Sequence, residues 1–186
     1  MKEFLLRSPR LGFRAFVPTD LDAFAAMNAD PRVMEHFPAP LSRAESQDLM
    51  DRVNQRLEEF GFTFWAAELL ETEELIGFIG IVRTNFEAHF APCVEIGWRL
   101  AYPFWGKGLA REGAEASLRF AFEEANLKEI YSFTAHTNER SYGLMKRLGM
   151  QDQGTFIHPK IAADSPLNPH VLYHLTKEDW QAGINA

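Results

Sequence analysis

The sequence predicts an α/β fold: a mixed sheet with helices on both faces. Three observations carry this expectation. Apolar runs of strand length alternate with segments of helical period, strands crowd the middle of the chain, and two strand–helix units follow them. A hairpin requires antiparallel pairing, whereas strand–helix–strand units favour parallel pairing, so the sheet is neither purely one nor purely the other. At 186 residues the chain is read as a single domain, 1–186.

Residues 10–16 (RLGFRAF) alternate apolar and polar side chains, as a half-buried strand does. Pro18 interrupts them, and Thr19 or Asp20 can cap a helix running to about Asn28. Residues 30–40 (DPRVMEHFPAP) contain three prolines, which exclude a regular helix throughout and leave a loop or broken turn. Ser42 and Glu45 stand at capping-box spacing. They open a helix to about Phe60, with Leu49, Met50, Val53 and Leu57 on one face and Gly61 as its stop. Residues 62–70 and 75–83 read as a hairpin joined by the acidic link ETEE. Strand 93–100, helix 107–124, strand 130–135 and helix 139–148 follow, with Gly149 as a C-cap. Residues 156–158 and 171–175 close the chain as strands.

Composition narrows the function. Hydrophobic residues make up 46 % and charged residues 24 %, and sixteen Phe with four Trp supply a large core. A net charge of −7 argues against a nucleic-acid binder, which needs a basic face, and requires any polyanionic ligand to be held locally. The lone Cys93 excludes an intramolecular disulfide and a zinc–cysteine cluster, and in its apolar run it reads as an inert thiol rather than a nucleophile. Six scattered histidines show no metal-ligand spacing on a helix, so no metal is expected. No 18-residue apolar run and no signal-like N-terminus occur, which suggests a cytoplasmic protein with no membrane partner.

The most informative stretch is 94–112 (VEIGWRLAYPFWGKGLARE): a strand, a short turn, a loop with Gly106 and Gly108, and a helix start. Bare N–H groups at the positive end of a helix dipole suit a phosphate-bearing ligand. A Walker loop is excluded because Gly108 follows Lys107 where Ser or Thr is required, and the dinucleotide fingerprint lacks its third glycine.

Trp105-Gly106-Lys107-Gly108-Leu109-Ala110 resembles motif A of the GNAT superfamily of acyl-CoA-dependent N-acyltransferases. Trp105 replaces the usual Gln or Arg, a departure that matches the RimJ/RimL-like branch. Asn138-Glu139-Arg140-Ser141 with Lys146-Arg147-Leu148-Gly149-Met150, the opening SPRLGFRAFVPTDLDAF, and Tyr173-His174-Leu175 with Asp179-Trp180 extend the similarity along nearly the whole chain. The resemblance implies a GNAT-like fold with a mixed, mostly antiparallel central sheet, and acetyl-CoA as co-substrate. It places the CoA pyrophosphate on the backbone of Trp105, Gly106, Lys107, Gly108, Leu109 and Ala110, with Lys107 and Arg111 adding charge. A backbone N–H near Leu100 would serve the oxyanion, and Asn138 the pantetheine arm.

Acetyl transfer to an amine needs a base, an oxyanion donor and a proton source for the thiolate. Glu95, interrupting an apolar strand before the loop, is the candidate base, acting directly or through water; ordering the amine or pairing with a cation is the alternative. Glu112, one turn into the next helix, is accounted for by the helix dipole. Many family members use a tyrosine where this chain has Met145, so the resemblance moves that role to Ser141. Ser141 can equally satisfy backbone groups in a first helical turn, and Asn138 can be an N-cap. Met34, His36 and Phe37, with the loop 159–169, are candidates for the acceptor side. The acceptor is read as a peptide N-terminal amine or a small amine, and the protein as a monomer or homodimer. A non-catalytic acyl-CoA-binding module is the other class of function.

Overall fold

The computed structural model describes residues 3–184; of the expected domain 1–186, residues 1, 2, 185 and 186 lie outside the described residues. The chain divides into two compact units. The first takes the chain to Val82 and from Gly97 to Ser117, and the second takes Arg83–Ile96 and the chain from Leu118 onward.

In the first unit, β1 (Leu6–Arg7), β2 (Leu11–Arg14), β3 (Phe64–Leu69) and β4 (Glu74–Thr84) pair antiparallel in chain order. β5 (Cys93–Leu100) lies beside β4, and the Ala101 N–H just beyond its end donates to Ile76 O at 2.9 Å. The ETEE link therefore makes the expected hairpin, with Trp65 opposite Ile79 and Ala66 opposite Phe78. Because side chains alternate across a strand, those two pairs face opposite ways. On one face, α1 (Leu21–Ala29) and α2 (Arg43–Phe60) bury Phe24, Met27, Met50 and Val53 with Ala66 and Phe78. On the other, α3 (Leu109–Arg119) approaches so closely at Gly113 that an added Cβ would meet Ile79 and Phe13. Helices thus cover both faces of this unit.

α2 follows its sequence signals closely. The Glu45 N–H donates to Ser42 Oγ at 3.2 Å, and the Ser42 N–H donates to Glu45 Oε2 at 2.7 Å. Gly61 ends the helix at φ 76°, a left-handed conformation that glycine adopts without a Cβ penalty. The start of α1 differs from expectation. A 3₁₀ turn, Pro18–Asp20, precedes it, and Asp20 makes no side-chain cap bond to the helix. Its carboxylate instead accepts from Arg14 Nη1 at 2.6 Å, Arg14 Nη2 at 2.9 Å and the Val17 N–H at 2.8 Å. Arg14 also donates to Glu68 Oε2 from Nε and Nη2, completing a buried triad.

In the second unit the strand order is β5, β6 (Glu129–Ala135), β8 (His170–Thr176), β7 (Gln151–Phe156). β5 and β6 are parallel, while β6–β8 and β7–β8 are antiparallel. The architecture is α/β with a mixed, mostly antiparallel sheet, as the sequence predicts. α4 (Glu139–Arg147) leads to Gly149 at φ 79°. α5 (Lys177–Ile184), absent from the predicted element order, sets Trp180 against Phe122 at 5.2 Å between ring centroids.

Two further boundaries move. The helix expected over 107–124 is α only to Arg119 and continues as a π-helical turn, Phe120–Glu124. The strand expected at 156–158 ends at Phe156 and starts at Gln151, because its sequence QDQGTF is polar and exposed, with no alternation to read. A layer of rings fills the unit: Phe86 lies 5.6 Å from Phe133 and 5.0 Å from His158, and Phe90 lies 4.9 Å from Phe156. Buried Asn168 holds the adjoining loop by donating to Ile161 O and Ala162 O and accepting from the His158 N–H.

Candidate active site

The loop between β5 and α3 is held from both sides. Trp105, half-buried, donates from Nε1 to Leu100 O at 2.7 Å and packs on the α1–α2 core, folding the loop back onto the strand end. The indole thus anchors the loop to the end of the strand. Gly106 at φ 72° and Gly108 at φ 77° occupy left-handed conformations that other residues adopt at a cost. An added Cβ at Gly106 would meet nothing within 4 Å, so bare backbone there borders open space. α3 then begins at Leu109, with its free N–H groups directed at the loop. This is the geometry that a pyrophosphate requires, and the residues present fit the group.

The charges at the loop are arranged differently from the sequence reading. Lys107 is exposed, with Nζ 5.5 Å from the Phe104 ring centroid, and Arg111 is engaged by Glu115 at 2.7 Å. Sequence reasoning missed Arg10, which donates from Nη1 to Lys107 O at 3.0 Å and lies 3.6 Å from where a Gly108 Cβ would stand. Glu112 supports it: Oε2 accepts from Arg10 Nε at 2.6 Å, and Oε1 accepts from Ser8 Oγ and the Arg10 N–H, each at 2.7 Å. Burial alone would raise the Glu112 carboxyl, but these bonds from Ser8 and Arg10 outweigh it and hold its pKa below the usual carboxylate value. Glu112 is thus a tie between the N-terminal strands and α3, more than a dipole partner. No local signal marks a pairing 102 residues apart.

In the second unit, Glu95 is half-buried on β5, opposite Tyr131 of β6, and accepts from Thr84 Oγ1 at 3.0 Å. One residue on, Ile96 O accepts from a side chain, Ser132 Oγ, at 2.9 Å. Cys93, two residues before Glu95, has its thiol pushed up to about 12 by burial and by the charges of Glu95 and Glu129, so it is protonated and inert at neutral pH. Asn138 caps α4: its Oδ1 accepts from the Ser141 N–H at 3.2 Å, while its Nδ2 donates to Thr134 Oγ1 at 3.0 Å. The Ser141 hydroxyl is half-buried and makes no hydrogen bond among the described residues. Met145 is buried to 1 % exposure, which fills with core the position where a tyrosine donor would stand.

The proposed acceptor residues separate. Met34 is buried in the α1–α2 core, His36 lies 3.8 Å from the Glu35 carboxylate, and Phe37 is 37 % exposed. Phe37 stacks on Arg99, whose Cζ lies 4.1 Å from the ring centroid. Arg99 was not singled out from sequence, although a cation in an apolar strand was the available signal. Among the described residues, no group of three or more His, Cys, Asp or Glu side chains could hold a metal ion, and no helix is long and apolar enough to cross a membrane.

The chain belongs to the GNAT acetyltransferase family: the acetyltransferase (GNAT) domain profile matches residues 10–151. It is a GNAT-type N-acetyltransferase. It is 30 % identical over 128 residues to the uncharacterized protein YkkB of Bacillus subtilis, covering 68 % of this chain and 73 % of that one. It is 29 % identical over 116 residues to the ribosomal protein uS5-alanine N-acetyltransferase of Escherichia coli, covering 61 % of this chain and 57 % of that one. The fold superposes on spermidine N-acetyltransferase from Vibrio cholerae, solved with CoA and spermine, with a TM-score of 0.72 and 20 % identity over 92 % of this chain and 98 % of that one.

Proposed function

We propose that this chain, acting as one domain over 1–186, moves the acetyl group of acetyl-CoA to a primary amine, and that the amine is a protein N-terminus of the ribosomal type. The observation that carries the CoA half of this reading is the loop 105–110, where two left-handed glycines expose backbone at the start of α3. The similarity to the uS5-alanine enzyme and the Trp105-Gly106-Lys107-Gly108 segment support the RimJ/RimL-like branch. A small amine as acceptor is the second reading, favoured by the fold shared with the spermidine enzyme. A cytoplasmic location is proposed with it.

In this scheme acetyl-CoA supplies a thioester activated toward amines. Glu95 takes the proton that the amine loses as its nitrogen bonds to the acetyl carbon, directly or through water. A backbone N–H near Leu100 stabilises the oxyanion. Ser141 donates to the sulfur as the C–S bond breaks, its uncommitted hydroxyl passing a proton to the thiolate and regaining one through water, while Glu95 returns the amine proton to solvent, so that one proton moves from nitrogen to sulfur in each turnover. Asn138 keeps its capping role and offers its remaining amide capacity to the pantetheine arm.

The test is a CoA-release screen over N-terminal peptides, polyamines and aminoglycosides, repeated with Glu95→Gln and Ser141→Ala. Turnover on peptides, abolished by Glu95→Gln, is the expected result. Preferred turnover on polyamines would move the acceptor to the small-amine class. Acetyl-CoA binding without turnover on any acceptor, unaltered by Glu95→Gln, would identify a binding module.

A further inference from the structure

We propose that Arg99 receives a carboxylate of the acceptor, so that within the small-amine reading the preferred amine also carries a single carboxylate group; this inference rests on the acetyltransferase reading above. The guanidinium is flanked by two rings, with Cζ 4.1 Å from the Phe37 centroid and 5.2 Å from that of Phe78. A cation over aromatic faces is held by the rings, while its donors point outward in its own plane. One donor is committed: Nη1 gives a 2.9 Å bond to Asn28 Oδ1. Asn28 is itself fully buried and fixed by donating from Nδ2 to Ser46 Oγ, so the guanidinium has one set orientation.

The Nε atom is buried and has no hydrogen-bond partner. Among the described residues no carboxylate lies within ion-pair distance of Arg99, unlike Arg10, Arg32 and Arg111, which each have one, and Arg14, which has two. Burial with nothing acidic to offset it pushes the Arg99 pKa down to about 10, which leaves the group charged at neutral pH. A desolvated guanidinium with an unmade Nε–H bond is costly for the protein alone, and a carboxylate on the Nε edge is the partner whose geometry matches it. Arg32, on the same loop as Phe37, stacks on Tyr102 and is paired with Asp30. One available positive charge suits a monoanionic carboxylate better than a dianionic phosphate.

Two measurements test this. First, the Nε–H resonance of Arg99 in the unaltered protein is followed during titration with benzoate and, separately, benzamide. A saturable shift with benzoate alone is expected; no shift, or the same shift with both, overturns the proposal, and this outcome is independent of turnover. Second, CoA release is compared for α-amino acids and their α-amides. Arg99→Gln is expected to lower kcat/KM for the acids by about 10- to 100-fold, mainly through KM, and to leave the amides and acetyl-CoA affinity unchanged. Arg99→Lys, which keeps the charge without the fork, should fall between. Equal losses on acids and amides would overturn the proposal and assign Arg99 a packing role. Absence of turnover on every acceptor tested would instead count against the acetyltransferase reading, with the titration still deciding the role of Arg99.

Discussion

At the residue scale, the loop glycines and the buried ions dominate. Gly108→Val places a branched side chain at φ 77° and a Cβ over the backbone proposed to hold pyrophosphate. Acetyl-CoA affinity should fall at least about tenfold by calorimetry, with unchanged affinity counting against the loop assignment. Arg14→Met should destabilise the protein by about 3–5 kcal/mol in urea melts, since it strands Asp20 and Glu68 in the core. The Glu112 carboxyl has a folded pKa below its ordinary 4.5, so the stability it contributes is present above that value and lost as the pH falls through the folded pKa. Glu112→Gln should therefore lower stability at pH 7 by about 1–3 kcal/mol, with the gap from the unaltered protein closing below about pH 4.5. The glycine loop at Gly106 and Gly108 and the cap at Asn138 were legible because they depend on neighbours in sequence. The bonds of Arg10 to Lys107 O, Arg14 to Glu68 and Ser132 to Ile96 O were not, because they span 97, 54 and 36 residues.

At the element scale, helices with local end signals were read most closely. α2 has a capping box and a glycine stop, and both operate in the structure. Ser42→Ala should cost about 1 kcal/mol in thermal or chemical melts, with little effect on catalysis. α3 gives the opposite lesson about propensity. Alanine favours a helix over glycine by roughly 1 kcal/mol, yet Gly113→Ala should destabilise the protein, because the new Cβ would run into Ile79 and stand 3.2 Å from Phe13 Cζ. A gain in stability for that variant would mean that α3 can lift from the sheet at little cost. β7 was misplaced because an exposed strand of polar residues lacks the alternation that a buried face imposes, and its position is fixed by pairing with β8.

At the scale of the whole molecule, the fold class was legible from element order, while the division into two units was not, because β5 belongs to both and no linker marks the boundary. The second unit packs histidines among its aromatic rings. Burial, followed by the charges of His158 and His136, pushes the His170 pKa down to about 4 from an ordinary 6.5. Between those values the unfolded chain binds the proton and the folded one does not, so stability rises with pH there and is lost on acidification through that window. Unfolding free energy measured from pH 7 to 4 should decline, and His170→Phe should flatten the decline while retaining a ring among Phe133, Phe156 and His158. Trp105 gives the same molecule an optical gauge. Its indole bridges the loop to the Leu100 carbonyl, so the colour of its emission depends on whether that bond and its half-dry setting persist. With Trp65, Trp98 and Trp180 changed to phenylalanine, loop motion on ligand arrival would be visible as a spectral shift, without a label and without turnover.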